Sequence, residues 1–291
     1  MVIQIEDDFD LDKIAGSGQC FRWEKQDRSI PSGCDPGSCC YRIIAGKSCL
    51  YITTVGNGRC ELDCTAEEYS SFWQDYFDLN ENYKDIRSRI DPGKDPFLWK
   101  AAEHEKGIRI LRQDPWEMLI TFIISQNRNI PAIRHSVELL AGACGDKKVD
   151  SRGIGYYAFP QPEAVASLTD QDLTECRLGY RCKYVHAAAR AVLSGEIDLH
   201  SLRTADEKAA MDALTGLSGV GTKVASCVSL FGLHHTDAFP VDVWMKRILE
   251  EQYPAGYPFE QYSPCNGIYQ QYMFAYYRHS MVQGKDPCWE L

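Results

Sequence analysis

One lysine and one aspartate, each set where a helix begins, are the residues of this chain best suited to sugar chemistry. They belong to the run Leu217-Ser218-Gly219-Val220-Gly221-Thr222-Lys223-Val224-Ala225-Ser226-Cys227 and, just downstream, to Phe239-Pro240-Val241-Asp242-Val243. Two glycines in Gly-Val-Gly permit positive φ and a close approach of backbone amides to a ligand. The helix that follows aims its positive end at the same point, so an anion site is predicted that needs no basic side chain. Lys223 falls on the first turn of that helix, where an amine beside a bound phosphate can meet the sugar carbon of the same nucleotide. Breaking an N-glycosidic bond leaves a sugar with oxocarbenium character, which an anion near the ring and a nucleophile at the anomeric carbon both assist. A protonated lysine cannot attack, so Lys223 must shed its proton with the help of burial or a neighbouring cation. It would then form a Schiff base and open the way to β-elimination. Asp242 precedes the apolar-periodic Val243-Trp244-Met245-Lys246-Arg247-Ile248-Leu249 and sits where an N-cap belongs, a position that favours an anion. Taken singly, Lys223 also reads as a solvated lysine or a phosphate contact, and Asp242 as an ordinary cap. Joined to the hairpin, the pair is better explained by sugar chemistry.

These residues need a helical frame, and the chain supplies one behind a smaller sheet. Tyr41-Arg42-Ile43-Ile44, Cys49 to Val55 and Cys60 to Cys64 are β-branched or aromatic segments parted by Gly-containing turns, which predicts an antiparallel sheet in an N-terminal domain over residues 1–94. Thr65 is an N-cap followed by Glu67 and Glu68, and Tyr69, Phe72, Trp73, Tyr76 and Phe77 recur at helical spacing as a core stripe. Asp91-Pro92-Gly93-Lys94-Asp95-Pro96 marks the boundary, since its prolines and glycine stop helix and strand alike. Everything after it, residues 95–291, reads as helical, in two lobes with the hairpin at 217–223. Helices are predicted at about 97–105, 115–127, 131–144, 162–167, 170–176, 181–194, 205–215, 221–232, 242–252 and 265–280. The fold class is therefore α+β: an antiparallel sheet domain, then an all-helical one.

Composition narrows the field. No apolar run approaches a membrane span and no stretch has the layout of a secretion signal, so a soluble intracellular protein is expected, with no membrane partner. The 13 cysteines are too few for a disulfide scaffold and are expected as free thiols. Six of them (Cys34, Cys39, Cys40, Cys49, Cys60 and Cys64) crowd residues 34–64 of the first quarter, yet no paired C-x2-C knuckles mark a zinc site. Near the C-terminus only Cys265 and Cys288 occur, so no four-cysteine iron–sulfur loop is expected. A net charge of −10 and a pI near 5.2 exclude nucleic-acid binding by bulk electrostatics. A grip on a few phosphates through amides and local arginines remains open, because it needs a favourable local field only.

The ordered runs Ser17-Gly18-Gln19-Cys20-Phe21-Arg22-Trp23, Leu111-Arg112-Gln113-Asp114-Pro115, Ile124-Ser125-Gln126-Asn127-Arg128-Asn129-Ile130 and Leu178-Gly179-Tyr180-Arg181-Cys182-Lys183-Tyr184, with the hairpin, carry a resemblance over most of the chain. It resembles the bifunctional 8-oxoguanine DNA glycosylases of the helix-hairpin-helix superfamily. That resemblance implies double-stranded DNA containing 8-oxoguanine as partner, a monomeric enzyme, Lys223 as nucleophile and Asp242 as its electrostatic partner, acting on a flipped-out base. It implies a base pocket of Gly18, Cys227, Pro240, Gln270 and Phe274. Gly18 would present a carbonyl to the N7 hydrogen that 8-oxoguanine has and guanine lacks. Gln270 would pair with the base edge, with Cys227 and Phe274 on its two faces. The backbone of Gly219, Val220, Gly221 and Val224 would hold DNA phosphate. Asn127 would fill the gap left by the base, Tyr180 would wedge the bent duplex, and Arg181 would read the orphaned cytosine. A second arginine of that pattern falls at Ala132, which makes no hydrogen bond, and relaxed opposite-base preference follows. Trp244 stands where a phosphate-contacting histidine is found in eukaryotic relatives; it packs in the core or donates through its indole N–H. No cofactor is implied, though a monovalent cation at the hairpin fits the pattern. Two other readings stay open on the residues alone: a monofunctional alkylpurine glycosylase, which would lack the lysine, and a non-catalytic helix-hairpin-helix DNA anchor.

Overall fold

The computed structural model describes residues 1–26 and 38–283. Cys34 and Cys288 lie outside them. Five short strands form one antiparallel sheet in the order β1-β5-β4-β3-β2, with β1 Val2–Gln4, β2 Trp23–Lys25, β3 Cys40–Ala45, β4 Ser48–Gly56 and β5 Arg59–Leu62. The three central strands are those read from the sequence. The edge strands β1 and β2 were not foreseen, since three residues each are too few to show alternation.

Register places Tyr41 opposite Ile52 and Ile43 opposite Leu50, which sends these side chains to one face. There they meet Leu11, Ile14, Trp73, Tyr76 and Phe77 in a single apolar cluster. The aromatic stripe behaves as core, apart from Phe72, which stays exposed, and Tyr69 at the margin. Thr65 forms a capping box with Glu68, as its spacing suggested. The described cysteines are free; the Cys60 thiol lies buried in the sheet core, where desolvation pushes it up to about 12.

The part after Asp91 is not wholly helical. A two-stranded hairpin, β6 Lys147–Val149 with β7 Gly155–Tyr157, interrupts it. Its turn residue Asp150 accepts from Tyr51 Oη at 2.9 Å and pairs with Arg42 at 2.8 Å, so the hairpin covers the second face of the sheet. That tertiary partner, invisible locally, is why strand prevails over helix there.

The remaining elements are helices gathered on a second core. Ten of them match the expected positions within two residues at the start, for example Pro115–Ser125, Ile130–Cys144, Cys182–Leu193, Val243–Gln252 and Asn266–Gln283. A short helix, Phe259–Tyr262, was not foreseen. Tyr83, Ile86 and Ile90, which precede the Asp91–Pro96 turn, pack into this helical core, as does Phe21. Fully buried Arg109 fastens the two cores together, donating to Asp7 and to the carbonyls of Phe77, Asp78 and Glu81. No helix among the described residues is long and apolar enough to cross a membrane.

Candidate active site

A cavity of about 420 Å³, within the range of small-ligand sites, opens against the helical core, with Ser17 and Gly18 of the N-terminal domain at one side. Lys223, Asp242, Gly18, Cys227, Pro240, Gln270, Phe274 and Trp244 all line it, although they come from four separated stretches of chain.

Each side chain is held there by an identifiable device. The 17–22 loop is pinned by buried Gln19, which donates to Ser17 Oγ at 2.8 Å and to the Arg109 carbonyl at 2.9 Å while accepting from Leu111 N at 2.8 Å. Gly18 adopts φ +84 there, and a Cβ would face Phe274 Cε1 at 3.9 Å. Lys223 occupies the second position of the Thr222–Val228 helix. Its N-cap is Gly221, which has no side chain to close the first turn, so the leading amides are left for solvent or a ligand. Lys223 is exposed to the cavity, its Nζ 5.5 Å from the centre of the Phe122 ring. Of the two aids to deprotonation that the sequence left open, burial or a neighbouring cation, burial is not a property of the free chain. Asp242 caps Val243–Gln252 through Trp244 N at 3.0 Å and Met245 N at 2.9 Å. Burial pushes the Cys227 thiol up, opposed by the hydrogen-bonded Lys223 ammonium and reinforced by Asp242, so all three groups share one electrostatic environment.

The hairpin differs from expectation in one respect. Gly219 has φ +82, but Gly221 has φ −87, a value open to any residue. The two glycines are needed for different reasons. At Gly219 a Cβ would stand 2.2 Å from Tyr184 Cγ, whereas at Gly221 nothing lies within 4 Å, leaving open space above the helix mouth. Gln126 Nε2 anchors the hairpin through the Gly219 carbonyl at 3.0 Å. The side chains of Val220 and Val224 are buried in the helical core, and the Val220 amide already donates to the Leu217 carbonyl. Of these two only Val224 has an amide at the helix mouth.

Outside the cavity, Asn127 is exposed in the left-handed region at φ +51, and Tyr180 is 53% exposed. Arg181 is not presented in this way. It is buried, stacked 4.3 Å from the Tyr180 ring centre, and it donates to the carbonyls of Gln126, Asn127 and Leu178. Reading a base would require it to turn out. Ala132 stands in the first turn of Ile130–Cys144, its amide capped by Asn129 at 2.9 Å. Trp244 is half-buried, 6.3 Å from the Tyr277 ring and under the Arg247 guanidinium.

Gln270 is buried; its Nε2 donates to the Pro240 carbonyl at 3.0 Å and its Oε1 accepts from Gln271 at 2.8 Å. Its amide orientation is thereby fixed before any ligand arrives. Sequence reasoning missed the aromatic floor of Phe21, Phe122 and Phe231, with Phe122 and Phe231 stacked at 5.5 Å. It also missed Arg278, which lines the cavity 6.0 Å from the Phe274 ring. Helical spacing from Phe274 was the signal available for Arg278.

Comparisons with known proteins agree with this geometry. Residues 1–119 match the model of the 8-oxoguanine DNA glycosylase N-terminal domain, and residues 120–256 that of the HhH-GPD superfamily base excision DNA repair proteins. The N-glycosylase/DNA lyase of Saccharomyces cerevisiae is 35% identical over 61% of this chain and 50% of its own length. The Arabidopsis thaliana N-glycosylase/DNA lyase is 37% identical over 52% of this chain and 43% of its own. The matched region thus spans about half the length of these curated relatives. Among solved structures, Clostridium acetobutylicum 8-oxoguanine glycosylase/lyase, bound to duplex DNA with cytosine opposite 8-oxoguanine, superposes with TM-score 0.84 at 31% identity, covering 96% of this chain and 98% of that one. The DNA complex of MBOgg1 gives 0.87 at 35%, covering 98% and 96%.

Proposed function

Because the chain belongs to the 8-oxoguanine DNA glycosylase family of the HhH-GPD superfamily, we propose that it excises 8-oxoguanine from duplex DNA and then cleaves the abasic strand, acting as a monomer. The observation that carries this reading is the convergence of Lys223, Asp242, Gly18, Cys227, Gln270 and Phe274 on one cavity. A flipped nucleotide enters with its phosphate at the amides of the Thr222–Val228 helix and its sugar beside Lys223 and Asp242. Dehydration of the Lys223 amine by the bound nucleotide frees it to attack C1′, while the Asp242 carboxylate offsets the positive charge developing on the sugar. The nitrogen–carbon bond forms as the glycosidic bond breaks, and the departing base takes up the proton that the amine sheds; opening of the sugar C1′–O4′ bond then turns the C1′ aminal into a Schiff base, and loss of a C2′ proton expels the 3′-phosphate by β-elimination. Cys227 and Phe274 bracket the base, Gln270 meets its edge, and the Gly18 carbonyl accepts the N7 hydrogen. Asn127 and Tyr180 occupy the bent duplex where the base was. This chemistry requires no cofactor. A monovalent cation at the hairpin would share the carbonyls of Leu217 and Gly219, which already accept from Val220 and Gln126.

With Ala132 in place of a second arginine and Arg181 held inward, opposite-base preference is relaxed. Single-turnover release of 8-oxoguanine opposite each of the four bases tests both statements. The expected result is release from all four duplexes with modest spread, abolished in Lys223→Gln. A cytosine preference of several hundredfold would contradict the relaxed preference. Release undiminished in Lys223→Gln would support a monofunctional enzyme, and no release at all a DNA anchor.

A further inference from the structure

Behind Arg278, on the outer side of the last helix, three potential ligands converge. His104 ends the Pro96–His104 helix, Glu105 caps it, and His279 arrives from Asn266–Gln283. One ligand atom from each lies within 4.8 Å of the others. His104 Nδ1 and His279 Nδ1 both stand 2.7 Å from the same oxygen, Glu105 Oε1. The Glu105 side chain is wholly buried, while the two imidazoles are 49% and 45% exposed.

The distribution of partners is unusual for a plain hydrogen-bonded carboxylate. Two donors crowd one oxygen, while the other, Oε2, is buried and has no hydrogen-bond partner. A buried carboxylate ordinarily spreads its donors over both oxygens, because an unmatched one costs desolvation. A cation seated between the three groups would replace the two imidazole protons and offset the buried carboxylate charge that Oε2 shares. We propose that His104, Glu105 and His279 form a site for a divalent transition-metal ion of the zinc class, with a solvent-facing position left for water.

The ligand set argues for that class. Imidazole nitrogen suits zinc, cobalt and nickel rather than magnesium or calcium, which take oxygen donors. Around a tetrahedral ion with metal–nitrogen bonds of about 2.0–2.1 Å, ligand atoms sit about 3.3 Å apart. The 2.7 Å pairs must therefore open by about half an ångström, which the half-exposed imidazoles allow. Arg278, which responds to the Glu105 charge, acts against the ion and keeps affinity moderate. Occupancy would tie the last helix to the end of Pro96–His104, one residue beyond the cavity-lining Arg278.

The test is titration of the full chain with Co²⁺ alone, followed by visible absorption, with Zn²⁺ as competitor. One equivalent is expected, with nitrogen/oxygen-type ligand-field bands, no thiolate charge transfer, and displacement by Zn²⁺. His104→Asn and His279→Asn should each weaken binding by more than about tenfold, and His200→Asn, an exposed histidine elsewhere, should not. Zn²⁺ should also shield His104 and His279 of the unaltered chain from carbethoxylation, a readout that does not depend on the variants folding. No saturable binding, thiolate bands, affinity in either variant unchanged from the unaltered chain, or unshielded histidines would overturn the site.

Discussion

Asp242 has two duties that one atom exchange separates. Its carboxylate oxygen caps the Val243–Gln252 helix, and its charge faces the cavity beside Lys223 and Cys227. Asparagine caps as well as aspartate does. Asp242→Asn should therefore hold its urea midpoint to within about 1 kcal/mol, while single-turnover excision falls about 10²-fold or more. A stability loss matching the activity loss would reduce Asp242 to a cap. At this scale residue type was legible and orientation was not. Lys223 and Asp242 could be placed from their neighbours in sequence, because hairpin and cap are local devices, whereas Gly18 read locally as a turn and joined the pocket only through the family resemblance. Arg181 could not, since the carbonyls of Gln126 and Asn127 that hold it inward lie in a distant segment.

The hairpin is the element on which the proposed DNA binding rests, and its two glycines are expected to fail differently. Gly219→Ala meets both positive φ and the Tyr184 ring, and should cost about 1–3 kcal/mol of stability. Gly221→Ala has ordinary φ and open space, so thermal unfolding should change by less than about 1 kcal/mol. Its methyl would nonetheless stand where a phosphate approaches, weakening binding to an abasic-site duplex about tenfold or more. Unchanged binding would remove the helix mouth from the interface. Helices were legible as elements because caps such as Asp114, Asn129 and Asp242 and the 3.6-residue period are written locally. The β6–β7 hairpin was not, because Asp150 forms it by reaching Arg42 and Tyr51 across the sheet.

Across the whole molecule, the sheet core and the helical core meet along buried polar contacts that no local pattern announces. One of them is Glu117, at the start of Pro115–Ser125 and close to Arg22. Burial pushes its carboxyl up to about 7, against the pull of Arg22. The folded chain therefore holds a proton that the unfolded chain releases near the ordinary glutamate value of 4.5. Stability contributed by this group is fully present below about pH 4.5 and is lost as pH rises to about 7, amounting to ~3 kcal/mol. Glu117→Gln should gain on the unaltered protein over that interval in urea unfolding at pH 5, 6, 7 and 8. Parallel curves would show that the carboxyl titrates alike in both states. With a net charge of −10, the proposed DNA affinity rests on the hairpin amides and a few side chains around one cavity, and the proposed chemistry on Lys223, which lines it. Borohydride reduction during turnover of an 8-oxoguanine duplex, with the adduct located by peptide mass spectrometry, tests that most directly. The adduct is expected on Lys223; base release with no adduct, or an adduct on another amine, would contradict it.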